Sequence, residues 1–539
     1  MALVETILLL LLAVAVSGAL SRITRIALPL VQIALGAGIV LITGESVVLH
    51  PHLFFLLFLP PLLFLDGWRI PKEDLFRDRA FILELALGLV VFTVLGVGLL
   101  IYWMIPAMPL GVAFALAAIL SPTDPIAVAA IAKRAPIPKR LMHVLEGESL
   151  LNDASGLVCM KFAVAAVLTG TFSIASAAGT FVWLAAAGIA VGVGVTLAIN
   201  FAKQFITRRW GEDPGAQIII SLLIPFAAYL AAEHLHASGI LAAVAAGVTM
   251  AFTERSGAAQ AITRIRRTAV WDTVAFAANG VIFVLLGEQM PAIVTGAARV
   301  ATTTGHGEVW WLAVYVLVIF VALALLRFAW VWTSLRLTLF RHRGEERPKM
   351  GWRLVLVTSL AGVRGAITLA GILTLPLLMP DGTAFPARDL AIFLAACVII
   401  LSLLTATVLL PKLLKGLELP PEPSSLERED LARAVAAAAA MQAIERAQHD
   451  IAADPDVVDV STDIAARLME GYRARIESRG VGLASVDRDR LTAIEKELGL
   501  AGLRAERAEI RRLAQERTID EVTARKLTRE VDLQEARFG

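Results

Sequence analysis

SPTDP at residues 121–125 and EGESLLND at residues 146–153 decide how this chain folds. Each stretch puts acidic residues inside an apolar run long enough to cross a bilayer. Pro122 and Pro125 each remove a backbone donor and disturb the turn before them, so the run holding Asp124 predicts a helix interruption. Carbonyls freed at membrane depth are tolerated only where they line protein or water. An ionisable side chain at mid-bilayer costs about 2.5–3.5 kcal/mol on insertion scales, so it faces a cavity or a partner.

Reading outward, 58% of the 539 residues are hydrophobic and 18% are charged, against about half and a quarter in a soluble globular protein. Thirteen apolar runs read as spans: 3–20, 26–43, 51–66, 80–104, 109–132, 141–169, 176–202, 215–232, 237–252, 268–288, 309–335, 351–379 and 389–411. The first has the small residues of a secretory signal near its end but carries Glu5 where a basic segment would stand, and reads as a retained span. Residues 1–415 thus form a membrane domain. After Pro420, Pro421 and Pro423 the composition turns charged, and residues 421–539 predict a helical cytoplasmic domain.

Basic residues fall in alternate loops. These loops hold Arg22 and Arg25; Arg69, Lys72, Arg77 and Arg79; Lys133, Arg134, Lys139 and Arg140; Lys203, Arg208 and Arg209; Arg255, Arg264, Arg266 and Arg267; and Arg341, Arg343, Arg347 and Lys349. The intervening loops hold only Arg299 and Arg388. Basic loops stay cytoplasmic, which places the N-terminus outside and the tail inside. A net charge of +2 argues against a nucleic-acid partner. Cys159 and Cys397 lie in apolar runs and suggest neither a disulfide framework nor a cysteine-rich metal site.

Asp124 beside a broken helix is an arrangement that presents backbone oxygens to an ion. In the next span Ser149 and Asp153 share one helical face, as do Glu148 and Asn152. Carboxylate, hydroxyl and amide oxygens are hard ligands suited to an alkali cation. Burial makes a bare carboxylate anion costly, so Asp153 can hold either a proton or a cation, and that competition suffices for exchange. Lys161, two turns beyond Asp153, Glu84 in the fourth span, and the cluster Glu233, His234 and His236 have no part in this pattern; pairing or solvation is expected for them.

FLPPLLFLDGW, SPTDPIAV, EGESLLNDASGLV, HASGILAAVAAGV and GVRGAITLAG occur in this order across residues 58–371. They resemble the monovalent cation:proton antiporter family of bacterial sodium/proton antiporters and animal sodium/proton exchangers. The resemblance implies an all-α polytopic inverted-repeat fold with two crossed broken helices and a core domain that moves against a dimerisation domain. It further implies a homodimer in the cell membrane that exchanges Na+ or Li+ for H+ with no other cofactor. By that resemblance Asp153 is the essential ion- and proton-binding aspartate and Asn152 its neighbour. Asp124, Ser149 and the Thr123 backbone are the other cation ligands. Glu148 is a structural acid paired with an arginine, here Arg327; Arg364 belongs to the second broken helix, and Asp66 lies near the ion route. Because Asn152 adds no titrating group beside Asp153, one-for-one electroneutral exchange is expected.

Ligand types do not separate sodium from potassium, so K+/H+ exchange is the alternative within the class. An intramembrane aspartyl protease is a distant rival, since the glycine-x-glycine-aspartate context of such enzymes is absent and proline flanks Asp124. A non-transporting membrane sensor is another, distinguished by ion binding without flux.

Overall fold

A segment in lipid must satisfy its own backbone groups, and a helix does so within a single run. The computed structural model describes residues 2–44, 51–70, 82–125, 128, 139–170, 174–254, 261–301, 308–341, 352–415, 423–451, 458–480, 500, 502–510, 512–513, 516 and 521–535. Lys72, Arg77, Arg79, Lys133, Arg134, Arg255, Arg343, Arg347 and Lys349 lie outside them. The chain divides into two compact units, Met1–Glu418 and Leu419–Gly539.

In the first unit the helices are α1 (Ala2–Thr24), α2 (Leu28–Thr43), α3 (Pro51–Arg69), α4 (Val90–Met104) preceded by a π-helical turn at Glu84–Leu89, and α5 (Leu110–Leu120). They continue with α6 (Lys139–Thr169), α7 (Ile174–Trp210), α8 (Pro214–His234), α9 (Gly239–Glu254), α10 (Ala261–Ala301), α11 (Trp310–Arg341), α12 (Trp352–Leu360), α13 (Ala366–Leu373) and α14 (Arg388–Leu414). Eight helices among the described residues are long and apolar enough to cross a membrane, and α2, α5 and α9 are shorter apolar helices. Helices α7 and α10 outrun the apolar runs at 176–202 and 268–288, because polar ends remain helical past the apolar stretch. The run at 351–379 is not one helix: it breaks at Ala361–Gly365, ends at Leu373, and continues through a turn closed by the bridge between Leu378 and Ala384.

Packing repeats with an offset of seven elements. Helix α2 lies on α10 as α9 lies on α3, α1 touches α2 and α10 as α8 touches α9 and α3, and α4 packs on α5 as α11 packs on α12. The interrupted stretch after α5 corresponds to the break between α12 and α13. An odd offset inverts the second half relative to the first. Helix α7 stands between the two halves.

Glycines carry this symmetry at the two tightest crossings. A Cβ at Gly36 would strike the Val284 carbonyl, and one at Gly287 the Ile33 carbonyl. The α3–α9 crossing repeats the device, Gly67 facing the Val244 carbonyl and Gly247 the Phe64 carbonyl. Close backbone approach through small residues is how membrane helices gain packing energy without a hydrophobic drive between them. At one end of the same bundle Trp68 Nε1 donates to Glu254 (2.7 Å), Glu254 pairs with Arg267, and the Arg267 guanidinium lies 5.6 Å from the Trp68 ring. That cluster ties α3, α9 and α10 together.

Two groups of helices emerge. Helices α1–α3 and α7–α10 pack chiefly among themselves, as do the π-turn with α4–α6 and α11–α14. In the second unit α15 (Pro423–Ile451) packs along α16 (Val458–Gly480). Separately, α17 (Glu521–Glu535) contributes Leu527 and Val531 to a small core with Leu503 and Ile510, flanked by an Arg507–Asp532 ion pair of 2.6 Å.

The crossing glycines generate a stability prediction. Gly247→Val forces a side chain into the Phe64 backbone and lowers the thermal unfolding temperature in detergent, with a cost of about 1–3 kcal/mol or more. Gly38→Ala, at a helix position with nothing within 4 Å of the added methyl, leaves stability unchanged or raises it by about 0.5–1 kcal/mol.

Candidate functional site at the crossing of two interrupted helices

Helix α5 ends at Leu120, and Ser121–Asp124 are not helical. The break between α12 and α13 lies directly against this stretch: Asp124 N donates to Val363 O (2.7 Å). Arg364 sits between the broken ends, with Nε donating to Leu120 O (3.0 Å), Nη1 to Gly362 O (2.6 Å) and its backbone N to Ser402 Oγ (3.2 Å). It thereby satisfies carbonyls at the C-terminal ends of α5 and α12, where the helix dipole is negative. Gly365 is the N-cap of α13. A Cβ there would overlap the Asp124 carboxyl, so Asp124 is seated at the positive end of α13.

Helix α6 braces this junction. Ser149 Oγ donates to Thr123 O (2.7 Å) and lies 3.4 Å from Asp153 Oδ2. With its proton directed to Thr123, the Ser149 oxygen keeps lone pairs for another ligand. Asn152 Nδ2 donates to Thr123 Oγ1 (3.2 Å) and to Glu148 Oε1 (3.4 Å). Glu148, fully buried, receives a two-pronged ion pair from Arg327 at 2.5 and 2.8 Å. Arg327 is 2% exposed, and its Nε reaches Thr358 O (3.3 Å) beside the second break.

Between these elements lies a cavity of about 20 Å³, room for one water-sized occupant. Thr123 and Asp124 line it from the first break, Ser149 and Asp153 from α6, and Gly365 and Thr368 from the second break and α13. Asp66 of α3 and Asn279 of α10 close it from the other helix group. Asp153 is 3% exposed. Three carboxylates therefore share the lining with no basic side chain among them, and such a lining selects a cation.

The structure thus brings Asp66, Thr123, Asp124, Ser149 and Asp153 to one cavity and sets Glu148, Arg327 and Arg364 behind it. Asn152 does not line the cavity. Its amide is spent on Thr123 and Glu148, and its buried Oδ1 has no hydrogen-bond partner among the described residues. Asn279 and Thr368 were not singled out from sequence, because a lone amide or hydroxyl in an apolar helix belongs to no motif. Of the residues set apart earlier, Lys161 reaches Glu233 across 3.8 Å, and Glu84 accepts from Ser334 (2.7 Å). His234 Nδ1 lies 2.7 Å from Leu230 O within its own helix, and His236 is exposed.

An apolar helical bundle whose two interrupted helices meet at an acidic cavity defines a secondary cation transporter rather than an enzyme. The model of the transmembrane sodium/hydrogen exchanger family matches residues 7–416. The chain is 42% identical to an uncharacterised sodium/proton exchanger of Escherichia coli K12 over 98% of both proteins. It is 44% identical to a sodium, potassium, lithium and rubidium/proton antiporter of Bacillus subtilis, over 75% of this chain and 60% of that protein. Its fold is similar to the sodium/proton antiporter of Methanocaldococcus jannaschii solved at pH 8, with a TM-score of 0.57 at 17% identity, covering 77% of this chain and 98% of that one. The chain belongs to the sodium/hydrogen exchanger family.

The Glu148–Arg327 pair generates the second prediction. Glu148→Gln and Arg327→Met each strand a buried charge, and each lowers stability by about 3–5 kcal/mol. Their double variant loses markedly less than the sum, a coupling read from a thermal-unfolding double-mutant cycle in detergent.

Proposed function

We propose that this protein exchanges Na+ or Li+ for H+ one for one across the cell membrane, by alternating access of the cavity at Asp124 and Asp153. The observation that carries the reading is a buried Asp153 in a cavity with room for one small occupant. A carboxylate there holds a proton or a cation, not both. The cation is bound by Asp153, Asp124 and Ser149, with Thr123 at the helix break completing the oxygen set. Glu148 and Arg327 neutralise one another and Asn152 does not titrate, so Asp153 returns with equal charge in either direction. The cavity lies on the boundary between the two helix groups, and sliding one group against the other exposes it alternately to the two sides.

The reading includes thirteen membrane crossings, an outside N-terminus, a cytoplasmic domain beginning after Pro420, and a homodimer. Basic loops support the orientation, and the implied family architecture supports the dimer. K+ as a further substrate has its own support, since the Bacillus subtilis relative carries potassium and rubidium in its name.

Proteoliposomes loaded with a pH-sensitive dye test the exchange. Addition of Na+ or Li+ drives proton movement in the wild type, and the response to K+ decides the second reading. Asp153→Asn abolishes the signal because an amide neither releases a proton nor neutralises a cation, and Asp124→Asn lowers it at least a hundredfold, about 2.7 kcal/mol. Activity falls at low pH, where protons occupy the site, and at high pH, where too few are available. Clamped voltage with no ion gradient drives no sustained exchange; a sustained voltage-driven flux refutes the one-for-one stoichiometry and leaves Asp66 and Lys161 as the candidates for a second titrating group.

A further inference from the structure

We propose that Asn279 is the cation ligand contributed by the α1–α3, α7–α10 helix group, and that it sets affinity and selectivity among alkali cations. The inference rests on the exchange reading above and concerns how the same cavity chooses its ion. Every residue so far assigned to the cation comes from the other helix group; Asp66, which also lines the cavity, is placed only near the ion route. Asn279 stands on α10 at the face that closes the cavity. Its Nδ2 donates within its own helix to Ala275 O (2.9 Å). That bond takes one of the two amide hydrogens and orients the group, and the carbonyl oxygen Oδ1 is the one atom of this side chain able to ligate a cation.

An amide oxygen is a hard, neutral ligand. It adds to coordination without adding charge, so it leaves the one-for-one balance intact where a carboxylate would not. Its placement also matters for the transport cycle. Thr123, Asp124, Ser149 and Asp153 belong to one helix group, and Asn279 to the group against which it slides. A cation in this conformation is held from both sides, whereas a proton on Asp153 has no use for Asn279. The residue therefore strengthens cation binding on one side of the cycle and leaves proton binding untouched. Because the amide is tethered to Ala275 on its own helix, its oxygen has little freedom to follow ions of different radius, which meet it unequally.

The test compares Asn279→Ala and Asn279→Asp with the wild type in proteoliposomes, measuring KM and kcat for Na+, Li+ and K+ at several pH values, with thermal unfolding in detergent as the fold control. Asn279→Ala raises the KM for the preferred cation about three- to tenfold, changes the ratio of KM values among the three ions, and leaves kcat within about twofold. Asn279→Asp, which keeps an oxygen at the position, restores the low KM but moves the acid limb of the pH profile, because it adds a titrating group. A KM and ion ratio unchanged in Asn279→Ala, or a fall in kcat alone, overturns the assignment and leaves Asn279 a packing residue. If Asn279→Ala does not fold, Asn279→Asp decides: an acid limb of the pH profile that does not move in that variant overturns the assignment. A wild type that moves no protons in response to any of the three cations refutes the exchange reading itself, and this inference with it; an active wild type with an unaffected Asn279→Ala refutes this inference alone.

Discussion

The structure depends on the compensation of broken helix ends inside an apolar bundle. Ending a helix at membrane depth frees carbonyls and amides that lipid cannot satisfy, and each end carries roughly half an elementary charge. Here two such breaks are laid against each other. Arg364 takes the carbonyls of Leu120 and Gly362, and Asp124 occupies the start of α13. Neither break has this support alone, so the cavity exists only because the two interruptions meet.

Around that junction, charge is divided by task. Glu148 is consumed by Arg327 and further held by Asn152, so this part of the site is fixed and neutral. Asp124, Asp153 and Asp66 face the cavity with no basic side chain among the lining residues. The same short stretch of α6 therefore supplies an ion-paired acid and a cavity-lining one, five residues apart. Five residues turn a helix well past one revolution, which sends Glu148 towards α11 and Asp153 towards the cavity.

The doubled architecture places this site on a boundary. Reciprocal glycines bring α2 against α10 and α3 against α9 within one helix group, and the two breaks lie in the other group. Polar residues from both groups meet at the cavity, so any relative movement of the groups changes the coordination of what it holds.

The two aspartates were legible in the sequence because burying a charge is so costly that its setting is conspicuous: prolines beside Asp124, a hydroxyl one turn before Asp153. The faces shared by Ser149 with Asp153 and by Glu148 with Asn152 followed from the helical period alone. Arg327 as partner of Glu148 came from resemblance, since a sequence separation of 179 leaves no local trace of the contact. Asn152 reads in sequence as a cavity oxygen, yet Thr123 and Glu148 draw its amide away. Asn279 and Thr368 carried no signal, being neutral groups on apolar helices whose importance arises only when α10 and α13 close around the same cavity. Spacing along one helix determines which side chains share a face; which faces meet depends on contacts between helices distant in sequence, and only the folded chain decides those.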